Sequence, residues 1–396
     1  MKNISDISLS GKKVLIRVDF NVPLDKHFNI TDDSRIKAAL PTIKKVISDG
    51  GKAIIMSHLG RPKNGYEEKF SLKHTIESLS DLLKIDVIFS VDCIGENALT
   101  NISKMENGDV LVLENLRFYS QEKLGDNEFA KQLANLGDVY VNDAFGTAHR
   151  SHASTSIIAN YFPNNKYFGL LLSSEINSLE AVLKNPKRPF TAIIGGAKIT
   201  GKIDVISSLF DKVDSLIIGG GMAYTFAKAM GGNVGDSLLE NDKVALAKSL
   251  ITEAKEKGVQ LLLPTDSINA DDFNNNAIIQ HSEIKNIPNG FMGLDIGDKS
   301  ISRFSEVILN SKTIIWNGPM GVFEMDNFSN GTKKIGEAIC KATQNGAFSL
   351  VGGGDSVAAV KQFGFTEKVS YISSGGGAML EYLEGKKLPG VAAIKN

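Results

Sequence analysis

A chain of 396 residues is longer than one hydrophobic core sustains, and a norm of about 150 residues per domain predicts two large units. Its 44 basic and 45 acidic residues nearly cancel, so no global field favours nucleic acid or an anionic membrane, and any anion site must be local. Cys93 and Cys340 stand alone, which excludes a disulfide scaffold and a paired-cysteine zinc site and suits a reducing cytosol.

The opening MKNISDISLSGKK has no apolar stretch of secretory length. No uncharged apolar run approaches the roughly 18 residues of a membrane span, so a soluble, cytoplasmic protein is expected. Short β-branched runs then alternate with stretches of helical periodicity. KVLIRV (13–18), AIIMS (53–57), DVIFS (86–90), DVLVLE (109–114) and DVYVN (138–142) predict strands, with helical segments such as SRIKAALPTIKKVIS between them. SSEINSLEAVLKNPKRP places Ile176, Leu179 and Leu183 on one helical face before Pro186 and Pro189 stop it, and predicts a helix joining two lobes. TAIIGG, SLIIGG, VQLLLP, KTIIWN, AFSLVGG and VSYISS predict the strands of a second half. The fold class is α/β: two Rossmann-like lobes, each a mostly parallel sheet flanked by helices, joined by a hinge helix.

Only seven of the 44 basic residues are arginine (17, 35, 61, 117, 150, 188 and 303), and five of these precede residue 151. Where lysine serves for generic charge, these arginines mark sites needing a planar fork for carboxylate or phosphate. RVDFNVP, SHLGRP, LENLRF and GTAHRSH each follow or end a predicted strand. With Arg35 at the start of the next helix, they offer Arg35, His58, Arg61, Arg117 and Arg150 to one cleft, plus Asp19 and Asn21 for hydroxyls. Each arginine alone reads equally well as a surface ion pair; together they suit a small substrate carrying phosphate and carboxylate. His149 and His152 have no third ligand in view, so hydrogen bonding or loop packing is the reading for them.

In the second half, GGAK, GGGMAYTF, GGGDS and SGGGAML each end a predicted strand, and three lead directly into a helix. In a parallel sheet these ends share one edge, where glycine admits a ligand to helix N-termini. Four such turns predict a polyphosphate site. From Gly196 the run GAKITGKI meets G-x-x-x-x-G-K-[ST] except at Ile203, where the magnesium ligand should stand. Asp355 in GGGDS reads as a helix cap or, beside phosphates, as the replacement metal ligand. Lys198 and Lys202, four apart, read as one helical face supplying charge or as a solvated helix start. In WNGPMGVFE, Pro319, Met320, Val322 and Phe323 suggest an apolar wall for a planar base and Glu324 a ribose acceptor, or else a rigid turn with a surface glutamate.

RVDFNVP, SHLGRP, LENLRF, AHRSHAST, GGAKITGKI, WNGPMGVFE, GGGDS and SSGGGAMLEYLEGK, in that order over nearly the whole chain, resemble the signature stretches of the phosphoglycerate kinases. The resemblance implies reversible phosphoryl transfer from 1,3-bisphosphoglycerate to Mg-ADP, giving 3-phosphoglycerate and ATP in glycolysis. It implies residues 1–172 as the lobe binding 3-phosphoglycerate, 173–188 as interdomain helix and hinge, and 189–375 as the lobe binding Mg-ADP or Mg-ATP. Residues 376–396 then form a C-terminal segment packing near the hinge and first lobe. By motif, Asp19, Phe20, Asn21, Arg35, His58, Leu59, Gly60, Arg61, Arg117 and Arg150 would hold the glycerate. Lys198, Lys202, Gly293, Pro319, Glu324, Gly353, Gly354 and Ser356 would line the nucleotide, with Asp355 on Mg²⁺.

Arg35, Lys198 and the backbone N–H groups around Gly354 and Gly376 would stabilise the transition state. The acceptor carboxylate is already ionised, so no general base is needed. Gly201, Thr265 and Ser356 depart from the residues usual at their places, and the near P-loop is an accident of Gly201. Closure about the hinge would exclude water. A monomer without nucleic-acid or membrane partners is expected. A nicotinamide dehydrogenase is disfavoured because no G-x-G-x-x-G follows the early strands. A closing, non-catalytic binding protein leaves Asp355 unexplained.

Overall fold

The structure, a computed structural model, describes residues 2–63 and 65–395. The first half forms β1 (Lys13–Arg17), β2 (Lys52–Met56), β3 (Val87–Ser90), β4 (Val110–Leu113), β5 (Val139–Asn142) and β6 (Lys166–Phe168). They lie in the order β3-β4-β2-β1-β5-β6, every neighbouring pair parallel. β4 and β5 are buried at every residue, as a sheet covered on both faces requires. The helix Ser34–Ser48 presents Ile36, Ala39, Ile43 and Val46 on one face, and these side chains join the core beside Val14, Ile16 and Ile55. All five strands expected here are present to within a residue; β6, only three residues long, carried too little periodicity to be read.

The second half contains β7 (Phe190–Ile194), β8 (Ser215–Ile218), β9 (Asn233–Val234), β10 (Gln260–Leu262), β11 (Asp266–Ala270), β12 (Ile279–Glu283), β13 (Asn286–Ile287), β14 (Met292–Ile296), β15 (Thr313–Asn317), β16 (Phe348–Val351) and β17 (Tyr371–Ile372). Six of them form a second parallel sheet, β10-β8-β7-β15-β16-β17. An antiparallel sheet β12-β11-β14 and a small parallel pair β13-β9 were not anticipated. β12 is exposed along most of its length and reads IQHSE, which lacks the apolar run used to find the other strands.

Each six-stranded sheet reverses its winding direction once. The first winds from β1 towards β2 and resumes beyond β5; the second winds from β7 towards β8 and resumes beyond β15. The switch points, between β1 and β5 in the first sheet and between β7 and β15 in the second, mark the carboxyl edge as the place where ligands of such folds bind.

The chain divides into two compact units, one comprising residues up to Asn177 together with those from Lys387 onward, the other Ser178–Lys386. The division falls inside the helix Leu170–Lys184, whose buried face carries Leu172, Ile176, Leu179 and Val182, with Leu183 only half-buried. The stretch 376–396, read as one segment from sequence, is split. The helix Gly376–Leu383 stays with the second unit, where the Leu383 carbonyl accepts from Ser208 Oγ at 3.0 Å. The remainder joins the first, where Gly390 N–H donates to the Ala148 carbonyl at 2.8 Å and its own carbonyl accepts from Asn142 Nδ2 at 3.2 Å.

Candidate active site

In the first unit the turn after β1 brings down Asp19, Phe20 and Asn21. Asn21 Oδ1 accepts the Gly60 N–H at 2.7 Å, tying this turn to the one after β2. Ser57 Oγ makes a second tie, accepting from Phe20 N–H at 2.8 Å and donating to the Val18 carbonyl at 2.9 Å. Arg117, in the short 3₁₀ turn after β4, donates from Nη1 to the Gly60 carbonyl at 2.9 Å. Leu59 is buried, and its carbonyl is held by Asn115 Nδ2 at 2.7 Å. Arg35 is ion-paired with Asp19, and His58 Nδ1 lies 3.9 Å from the other Asp19 oxygen. Of the anion-site residues expected from sequence, the structure thus joins Asp19, Phe20, Asn21, Arg35, His58, Leu59, Gly60 and Arg117. Arg150 is exposed in the loop after β5, its Nε 3.3 Å from His149 Nε2. Arg61 is exposed beside Gly60 and outside this network.

Positive charge here exceeds what the protein neutralises. Burial, then Arg17 and Arg150, pull Arg117 down to about 10. Burial, then Arg17, Arg117 and Arg150, pull His152 down to about 3. Burial also holds His58 well below its ordinary value, against the opposing pull of Asp19. For Asp19 burial acts upward, but His58, Arg35 and Arg17 outweigh it and keep the carboxyl below its usual range. Arg117 Nε is buried with no hydrogen-bond partner among the described residues. Cations that depress one another and a buried donor left over are the electrostatic condition of an anion site.

Sequence reasoning assigned no role to Arg17, although it is completely buried at the end of β1. Its Nε donates to Ser154 Oγ at 2.8 Å, and Ser154 Oγ donates to the equally buried Glu122 at 2.6 Å. Its neighbours here come from positions more than 100 residues away, and the scarcity of arginine was the one available signal.

In the second unit, Gly195, Gly220 and Gly318 let the turns after β7, β8 and β15 touch backbone to backbone. A Cβ on Gly195 would lie 2.1 Å from the Pro319 carbonyl oxygen, and one on Gly220 2.5 Å from Gly196 N. Lys202 Nζ is hydrogen-bonded to Asn317 Oδ1, while burial lowers its pKa against the pull of Asp355. Asn317 Nδ2 donates to the Gly352 carbonyl at 2.7 Å, and Ser356 Oγ accepts from Gly318 N–H at 2.5 Å. The helix Gly354–Gln362 begins there, capped by Gly353 without a side-chain bond, so Asp355 is exposed in its first turn and is not its cap. The helix Gly376–Leu383 starts alongside: a Cβ on Gly376 would lie 3.5 Å from Gly353 Cα. Two helix N-termini, Lys202 and one exposed carboxylate therefore meet at the carboxyl edge of the sheet.

Several expectations change here. Lys198 and Lys202 do not share a helical face, because the helix starts only at Ile203; the preceding run is a loop in which Gly196 takes φ +111°. That loop is held by Glu240, which accepts Ile199 N–H at 2.6 Å and is bonded to the Thr200 hydroxyl, and Lys198 stands exposed between. Met320 and Phe323 are core residues packed with Trp316 and Ile335 and do not form an exposed wall; Pro319 is buried and Glu324 exposed. Gly293 lies in β14, where its N–H donates to Ser237 Oγ at 2.9 Å and a Cβ would strike Tyr224 Oη at 2.2 Å. Thr265 is exposed, its N–H donating to Ser300 Oγ at 2.9 Å.

Among the described residues no cluster of three His, Cys, Asp or Glu side chains could cage a metal. A lone carboxylate beside a phosphate-binding edge nonetheless fits Mg²⁺, which is commonly held by one or two carboxylates plus substrate phosphates and water.

Open parallel sheets bearing glycine turns, helix N-termini and cations at their switch points are the architecture of α/β enzymes that handle phosphorylated ligands. The phosphoglycerate kinase family model matches residues 4–386. A phosphoglycerate kinase of Porphyromonas gingivalis is 54% identical, the match covering 99% of each chain. The structure of phosphoglycerate kinase from Coxiella burnetii superposes with a TM-score of 0.89 at 40% identity, covering 99% of this chain and 98% of that one. That of Pyrococcus horikoshii gives 0.83 at 31% identity, covering 100% and 98%. The chain belongs to the phosphoglycerate kinase family and is a phosphotransferase of glycolysis.

Proposed function

We propose that this chain transfers the acyl phosphoryl group of 1,3-bisphosphoglycerate reversibly to ADP by stabilising charge rather than by general-base catalysis. What supports this reading is that arginines and His58 gather at the carboxyl edge of the first sheet, and glycine turns and helix N-termini at that of the second. In this reading Asp19, Asn21, Arg35, His58, Arg61, Arg117 and Arg150 hold 3-phosphoglycerate, with the backbone of Phe20, Leu59 and Gly60 shaping the turn. Lys198, Lys202, Gly293, Pro319, Glu324, Gly353, Gly354 and Ser356 line the nucleotide. Asp355 would hold Mg²⁺, which when bound neutralises charge on the nucleotide phosphates.

Acceptor and leaving oxygens are all anionic, so the chemical difficulty is repulsion and alignment. Arg35, kept in place by Asp19, offers a planar fork to the transferring group. Lys198 and the N–H groups at Gly354 and Gly376 point charge and dipole at its equatorial oxygens. The glycerate groups belong to one unit and the nucleotide groups to the other. Transfer needs the two sets in register, and residues 173–188 are the proposed hinge, between lobes 1–172 and 189–375, about which they would be brought there. No helix among the described residues is long and apolar enough to cross a membrane. We take the enzyme to be a cytoplasmic monomer.

The test is a coupled assay of 3-phosphoglycerate-dependent ATP consumption with and without Mg²⁺, on the native chain and on Asp355→Ala. Activity that needs both substrate and metal, and collapses in the variant, supports the reading. Absence of turnover in the folded native chain overturns it, and a fully active Asp355→Ala removes the metal assignment.

A further inference from the structure

We infer that Arg17 is a positioning residue: by donating to Nδ1 it fixes His58 as the tautomer that carries its proton on Nε2, and the buried Ser154 and Glu122 hold Arg17 where it does so. The inference rests on the reading that this cluster binds the phosphorylated acid.

The geometry leaves little freedom. Arg17 Nη2 lies 3.2 Å from His58 Nδ1, both side chains being buried. A guanidinium has five donors and no acceptor, so Nδ1 must accept and the proton of a neutral ring must sit on Nε2. The competing arrangement, Nδ1–H donated to Asp19, fails on distance, because Asp19 Oδ1 is 3.9 Å away. Three charged neighbours besides Asp19 bear on the ring: Arg17, Arg117 and Arg35 all oppose a positive imidazole, as does burial itself.

Arg17 is held on its other edges. Nη1 bonds the Val18 carbonyl, and Nε donates to Ser154 Oγ at 2.8 Å. Ser154 spends its own proton on Glu122 Oε1 at 2.6 Å, and its N–H donates to Glu122 Oε2 at 2.9 Å, so a hydroxyl lone pair faces Arg17. Glu122, completely buried, accepts both of these bonds. His58 therefore offers a neutral N–H among cations. The opposite tautomer would turn a lone pair towards an anionic substrate, which would repel it.

The test uses the full chain labelled with ¹⁵N-histidine, free of substrate, at pH 7.5. Long-range ¹H–¹⁵N spectra should show His58 with a pyridine-type Nδ1 and a pyrrole-type Nε2, the signal being assigned by its loss in His58→Gln. A proton on Nδ1, or an imidazolium, overturns the inference. Ser154→Ala removes the acceptor of Arg17 Nε and should mix the two tautomers. It should also raise KM for 3-phosphoglycerate by about tenfold, the effect of losing one hydrogen bond to a charged group, while kcat stays within about threefold. Ser154→Thr, which restores the hydroxyl, should restore both. A mixed tautomer with unchanged KM refutes the positioning role. If Ser154→Ala fails to fold by circular dichroism, Arg17→Lys is read in the same way. Calorimetric titration of the native chain with 3-phosphoglycerate separates the two readings. The stated tautomer without binding sinks the site assignment alone, and binding with the reverse tautomer sinks this inference alone.

Discussion

Gly353→Ala tests whether the nucleotide edge is held by backbone conformation. Gly353 has φ +97° and ψ 141°, a region that essentially only glycine occupies, and a residue with a Cβ pays about 1–3 kcal/mol there. The new methyl would also lie 2.6 Å from Asn317 Nδ2. That amide must move, giving up its bond to the Gly352 carbonyl, worth about 1 kcal/mol, and carrying with it the acceptor of Lys202. The sum is roughly 2–4 kcal/mol. In a unit the size of Ser178–Lys386 this lowers its melting temperature by about 5–15 °C. Differential scanning calorimetry should show that loss, with weakened ADP binding. Gly354→Ala is the control: no atom lies within 4 Å of its Cβ position and its φ is not positive, so it should keep the melting temperature. Equal melting of Gly353→Ala and the native chain would refute the reasoning.

Gly201 has open space where a Cβ would stand and no positive φ, so Gly201→Ser should melt within about 1 °C of the native chain. Asp295 is buried, and desolvation pushes its carboxyl up to about 7 against the N–H groups of Gly331 and Ile296. Between pH 4 and 7 the folded chain thus binds the extra proton, so stability falls as pH rises across that window, by up to about 4 kcal/mol, and then levels off. Asp295→Asn should remove that slope in melting temperature against pH; an unchanged slope would place its origin elsewhere. Arg35→Ala should lower kcat by about 100-fold or more at saturating substrates, and native turnover would end its catalytic assignment.

The apolar runs and glycine turns made both main sheets legible, since VLVL or TIIWN flanked by turn residues has few other fates. They could not reveal β12, whose alternation is polar and exposed. The candidate site was legible as residue types at strand ends, because an α/β sheet gathers those ends whatever lies between. What escaped depended on distant partners. Nothing near Ile199 announces that Glu240 will hold its N–H, and this bond helps keep Lys198 and Lys202 in a loop where a four-residue spacing had suggested a helix. Arg17 was hidden in the same way: it ends an apolar strand, and its partner Ser154 lies 137 residues further on. Met320 and Phe323 were misplaced because an apolar residue beside a ligand turn serves the core equally well.

The chain leaves its first unit at Asn177, completes the second, and comes back at Lys387. On a ribosome this sets an order of events. All of the second sheet is made before the residues that place the Gly390 carbonyl on Asn142 and its N–H on Ala148. Until then the end of β5 and the turn leading to Arg150 lack a partner they have in the finished protein. The second unit is made from one continuous stretch, whereas the half with the arginine cluster is completed only by the residues from Lys387 onward.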